Sequence, residues 1–185
     1  MKKKMLMLVL SRMFLNELVA QDLTFGAKAG VNLSTLTNND DYDSRYGIHF
    51  GAVAEWEISD KFSLQPELLY SGQGYKRDLE GRTLRGKIDY LNIPLMASVE
   101  VMNDVSLMAG PQIGINLRAE LDGEGQEIQR LTVNDVDASV VFGIQIDVDA
   151  SFFIQGRYAL GLSEVRINQE EKHSVFSVSM GFYFD

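Results

Sequence analysis

Side chains with catalytic potential are few. The only two histidines are His49 and His173, and a histidine beside a carboxylate can activate water for hydrolysis. Each is more simply read as a polar residue satisfied by its neighbours: His49 falls on the polar side of an alternating segment, His173 at the rim of the last one. The serines form no Gly-x-Ser-x-Gly elbow. Gly123-Glu124-Gly125 lies in an acidic stretch and lacks the strand–glycine–helix setting of a phosphate cradle. The run Asn38-Asn39-Asp40-Asp41-Tyr42-Asp43 offers carboxylates to a hard cation but lacks the glycine and distal glutamate of a calcium loop. A chain without cysteine has no thiol chemistry, zinc–thiolate site, disulfide or lipid-anchored cysteine. With 26 acidic residues against 17 basic ones, nucleic acid is excluded as an expected partner. No enzyme activity, cofactor or metal is expected.

What remains is a set of charged and amide side chains whose meaning depends on the elements that carry them. The 185 residues, 45% of them hydrophobic, suit one domain with a sizeable core. A mean hydropathy of −0.07 reads as water-soluble, but the order of the residues says otherwise. From Leu23 to Ser34 every odd residue is apolar and every even one polar or glycine. Tyr46 to Ile58 repeats this, with Val53 as the exception. Six more alternating segments begin at Phe62, Leu91, Val105, Val136, Phe152 and Phe176, which makes eight strands. Tight turns at Ser59–Lys61, Met102–Asp104 and Asp149–Ser151 alternate with longer connections at Thr35–Ser44, Gly74–Gly86, Ala119–Asp135 and Ser163–Lys172. Short turns at one end and long loops at the other describe an antiparallel up-and-down transmembrane β-barrel.

Alternation alone does not choose the face that meets solvent. A soluble lipocalin-like carrier of an apolar ligand also alternates, with its apolar face inward. Here the polar face consists of Gly, Ser, Gln and Asn with sparse charges, not the dense Lys and Glu of a solvated surface. That composition suits a narrow eight-strand interior filled by side chains. Inward Lys28, Glu55, Glu67, Gln112 and Arg157 are expected to form a structural network across the lumen, since buried charges must be paired. Trp56, Tyr70, Phe152, Tyr158, Phe182 and Phe184 stand near strand ends as candidates for the aromatic girdles. Eight strands of about 9–11 residues cross a bilayer with roughly 80 residues, leaving ample chain for loops.

Residues 1–20 read as a signal peptide, interrupted by Arg12, Asn16 and Glu17: Lys2 to Lys4 precede the apolar Met5–Leu10, and Ala20 precedes Gln21. Residues 21–185 form the barrel domain.

Five stretches carry a family resemblance: Phe25-Gly-Ala-Lys-Ala-Gly-Val-Asn-Leu-Ser34, Phe62-Ser-Leu-Gln-Pro-Glu-Leu-Leu-Tyr-Ser71, Asp89-Tyr-Leu-Asn-Ile-Pro-Leu95, Ala109-Gly-Pro-Gln-Ile-Gly114 and Arg157-Tyr-Ala-Leu-Gly-Leu162. In this order they resemble the outer-membrane β-barrel proteins of Bacteroidota, labelled porin-family or PorT-family and similar in form to OmpA and OmpX barrels. The resemblance implies an eight-stranded barrel in the bacterial outer membrane, inserted by the barrel-assembly machinery, which reads a C-terminal aromatic. Phe184 stands next to last, before Asp185. The expected role is structural, adhesive or surface-interacting, with outer-membrane lipid and lipopolysaccharide as neighbours. A barrel hydrolase or lipid-modifying enzyme is the enzymatic alternative.

Overall fold

A computed structural model describes residues 23–37, 42–79, 82–123, 129–165 and 171–184. The signal-peptide reading, most of the acidic run at Asn38–Asp43 and most of Gly123–Gly125 lie outside the described residues. The strands are β1 (Leu23–Leu36), β2 (Asp43–Ser59), β3 (Phe62–Leu79), β4 (Arg82–Met102), β5 (Val105–Gly123), β6 (Gln129–Arg130), β7 (Val136–Asp147), β8 (Phe152–Gly161) and β9 (His173–Tyr183). Eight of them close an antiparallel ring in chain order, in which β1 pairs with both β2 and β9 and β5 pairs with β7. The ninth, β6, is a two-residue addition from the loop after β5, pairing at Glu120↔Arg130 and Leu121↔Gln129. Closure satisfies every strand edge within the ring, as a bilayer requires.

The period-two pattern becomes a lipid-facing belt. Phe25, Ile48, Ile113 and Phe176 are exposed on the outside of the ring. A ligand carrier would need these side chains inside. On β7 the outward apolar row starts at Val136 and continues past the strand end to Val148; the one on β9 starts at Phe176 and continues to Phe184. Those lengths match the span of a tilted strand through hydrocarbon.

The Gly74–Gly86 and Ala119–Asp135 connections differ from the sequence expectation, the second because β5 runs on to Gly123 and β6 pairs with it. The Gly74–Gly86 stretch is not a loop but a continued β3–β4 ladder, paired from Gly74↔Lys87 to Leu79↔Arg82. β3, β4 and β5 are therefore 18, 21 and 19 residues long, against 10 and 11 for β8 and β9. Along β4 the apolar face changes sides. Ile88 and Tyr90 point inward while Lys87 and Asp89 point outward, whereas from Leu91 to Val99 the outward residues are apolar and Asn92 and Ser98 face inward with Pro94 and Met96. The inversion marks where the strand leaves the bilayer, because an exposed surface in water favours charge and one in lipid does not. On β5 a bulge at Leu117 shifts the register between Asn116↔Tyr90 and Arg118↔Asp89, so Ala119 turns inward. Gly74, at φ 137°, sits where only glycine is unstrained.

Inward glycines have a specific use. In the cross-strand pairs Gly30↔His49, Gly86↔Tyr75, Gly114↔Asn92, Gly143↔Arg157 and Gly181↔Phe153, the larger side chain lies over its glycine partner. A Cβ at any of the five glycines would collide with that partner. The narrow lumen thus accommodates large side chains by removing the ones opposite them.

Candidate functional site

The centre of the lumen holds an ion triad built by three strands. Glu67 on β3 accepts two bonds from the Arg157 guanidinium on β8, at 2.9 Å from Nη1 and 2.6 Å from Nη2. The same carboxylate meets Lys28 Nζ from β1 at 2.8 Å. All three side chains are at least 95% buried. Glu67 is the hub: each cation depends on it, and neither has another carboxylate within ion-pair distance among the described residues.

Amides extend the triad toward the end of the tight turns. Lys28 Nζ donates to Gln155 Oε1 at 2.9 Å, and Gln155 Nε2 donates to Gln145 Oε1 and to Gln65 Oε1. Gln65 Nε2 in turn donates to Tyr183 Oη at 3.0 Å. Beneath lies an apolar layer of Val53, Phe153 and Tyr183, the last two with ring centroids 4.7 Å apart. Met96, Met108 and Val141 pack beside the amides. Toward the loop end, His49 Nδ1 donates to Asn32 Oδ1 at 2.8 Å, and Asn32 Nδ2 donates to Ser71 Oγ and to the Gly72 carbonyl. A further apolar cluster of Leu36, Tyr75, Ile88, Tyr90, Ala119 and Val165 lies at the loop end of the barrel. His173 is buried against it, with its Nε2 3.1 Å from Tyr90 Oη.

Of the five residues expected to meet across the lumen, three converge and two do not. Glu55 lies lower and accepts from Ser63 Oγ at 2.8 Å; Gln112 donates to Ser139 Oγ at 3.0 Å. Sequence reasoning missed Gln65, Gln145 and Gln155, whose only signal was their place on the polar face. Neither histidine bonds a carboxylate among the described residues. Among the girdle candidates, Phe152, Phe182 and Phe184 cluster outside the ring near the tight turns, and Trp56 lies toward the same end, beside Leu23 and Leu64. Tyr70 stacks against Phe50 at 5.2 Å, and Tyr158 Oη shares a 2.8 Å bond with Ser174 Oγ, both nearer the loop end.

The mouth at the tight-turn end is strongly acidic. A recess of about 390 Å³ is walled by Glu55, Glu57, Asp60, Glu100, Asp104, Asp147 and Asp149, with Lys61 as its one cation. In the turn, Asp149 Oδ1 accepts from the Phe152 and Ser151 amides, and these bonds hold its carboxyl below the usual carboxylate value.

A closed eight-strand ring with an apolar exterior and a filled polar interior is a transmembrane β-barrel. The chain belongs to the outer membrane protein β-barrel domain family, whose model matches residues 19–166. Neisserial surface protein A has the same fold at 15% identity and a TM-score of 0.62, over 88% of this chain and 99% of that one. Ail, the attachment invasion locus protein of Yersinia pestis, solved with the heparin analogue sucrose octasulfate, follows at 15% identity and 0.54, over 88% and 99%. The same protein in a phospholipid bilayer nanodisc matches at 11% identity and 0.51, over 88% and 100%. No curated protein matches the chain in sequence. In barrels of this family type the short turns and both termini face the periplasm and the longer loops face outward.

Proposed function

We propose that this chain is a non-conducting, non-enzymatic barrel of the bacterial outer membrane that acts through its outer end in a structural, adhesive or surface-interacting role. The observation that carries this reading is the filled lumen. Gln65, Gln155, Met96, Ile88 and Tyr90, at successive heights, are all at most 1% exposed. A solute would have to displace an ion triad and two apolar layers to pass. His49 bonds Asn32 and His173 bonds Tyr90, and neither bonds a carboxylate among the described residues, which fits a barrel without hydrolytic chemistry. Export through residues 1–20, insertion by the barrel-assembly machinery and contact with lipopolysaccharide through divalent ions at the acidic loops belong to the same reading, as does membership of the Bacteroidota PorT-like group. The fold shared with Ail, named for attachment, fits an adhesive role.

Cell fractionation with heat-modifiable gel mobility tests the location, and planar-bilayer recording of the purified protein tests the lumen. The expected results are an outer-membrane fraction with a folded-versus-boiled shift, and no stepwise conductance. A soluble protein without that shift, or stable conductance steps, would overturn the proposal.

A further inference from the structure

Lys28 and Arg157 face one carboxylate, Glu67, and all three are nearly fully buried. Three other inward carboxylates of the described strands are engaged elsewhere: Glu55 with Ser63, Asp137 with Ser163 and Asp147 with Gln145. A buried excess charge is costly unless it is compensated. Beside the triad, on its loop-end side, lies an internal cavity of about 40 Å³ walled by Lys28, Arg157, Asn92, His49 and Gln112. Two of these walls carry polar groups that the fold leaves unused. Arg157 Nε is buried with no hydrogen-bond partner, and the Asn92 side chain, 5% exposed, has none among the described residues. Two cations and an unpartnered side-chain amide are an environment for a negative charge, and the space suits one small ion or a few waters.

We infer that this cavity binds a small monovalent anion of chloride size, which neutralises the second cation and uses the idle donors. Lys28 and Arg157 supply the charge, and Asn92 and Arg157 Nε supply directional bonds. The site is small and lies inside the lumen, so it discriminates by size: chloride and bromide fit, whereas an organic anion such as gluconate does not. This inference is independent of the surface role proposed above, because its readout is the folded barrel and not adhesion or conductance.

The test is thermal unfolding of the full barrel in detergent, in sodium chloride, sodium bromide and sodium gluconate at matched ionic strength. The expected result is a saturable rise in Tm of about 2–5 °C in either halide over gluconate. Lys28→Met should abolish the difference, because the remaining Arg157–Glu67 pair is neutral. Asn92→Leu, which leaves the triad intact and fills the cavity, should abolish it as well and covers the case in which Lys28→Met fails to fold. Equal Tm in chloride and gluconate would overturn the inference and assign the cavity to water. A halide effect that persists in Asn92→Leu would also overturn it, by placing the ion elsewhere.

Discussion

Replacing Glu67 by glutamine should cost more than replacing either of its partners, although each variant removes one charge. At an effective dielectric of about 20, each contact of 2.6–2.8 Å is worth about 6 kcal/mol of attraction, set against several kcal/mol of desolvation per ion. Glu67→Gln removes both attractions and leaves two cations facing each other in the lumen. We expect a loss of about 3–5 kcal/mol, the range for uncompensated buried charge. Arg157→Met leaves the neutral Lys28–Glu67 pair and loses the bidentate contact and the bond to Gln65, for about 2–3 kcal/mol. Lys28→Met leaves the bidentate pair untouched and should cost about 1 kcal/mol or less. The assay is reversible urea unfolding in lipid vesicles, followed by tryptophan fluorescence from Trp56. A Lys28→Met variant as unstable as Glu67→Gln would refute the view of Glu67 as the hub.

Other expectations follow from single positions. Phe142 sits midway along the outward row of β7, so Phe142→Arg should destabilise the barrel by about 2–4 kcal/mol, measured by the same unfolding assay. Gly51→Ala would drive a Cβ into the backbone of β3 at Leu68 and Leu69 and should cost about 1–3 kcal/mol, whereas Gly156→Ala meets nothing within 4 Å and should stay within about 0.5 kcal/mol. Asp149 has a carboxyl value lowered by amide donors in the folded barrel, so its stabilisation is present above its unfolded value near 3.8 and is lost as pH falls through the folded one. Asp149→Asn should therefore flatten the acid limb of a Tm-against-pH curve by lowering Tm at neutral pH while leaving the acid end unchanged.

The lipid-facing half of this fold was legible in the sequence because the bilayer imposes one rule on every outward residue. Strand number, turn positions and the outward direction of Phe25, Ile48 and Phe176 all follow from it. The interior was less legible because each inward residue answers only to its neighbours in space. Leu69 and Val141 face the lumen, yet each follows an apolar residue of the opposite face, Leu68 and Val140, which masks the alternation. Gln65, Gln145 and Gln155 look like any polar-face residues until closure of the ring brings three strands together. The extensions of β3–β5 were hidden for another reason: outside the bilayer the apolar face is the inner one, and the bulge at Leu117 reverses the count again.

The glycine rungs bear on how such a barrel tolerates change over generations. Where Tyr75 covers Gly86, or Phe153 covers Gly181, neither position is free to drift alone. Enlarging the glycine evicts its partner, and shrinking the partner opens a void that a larger residue opposite could refill. The unit of inheritance for this lumen is therefore the rung. A suppressor selection begun from a damaged Phe153 should recover second changes at Gly181 across the β8–β9 ladder, rather than at its neighbours along the chain.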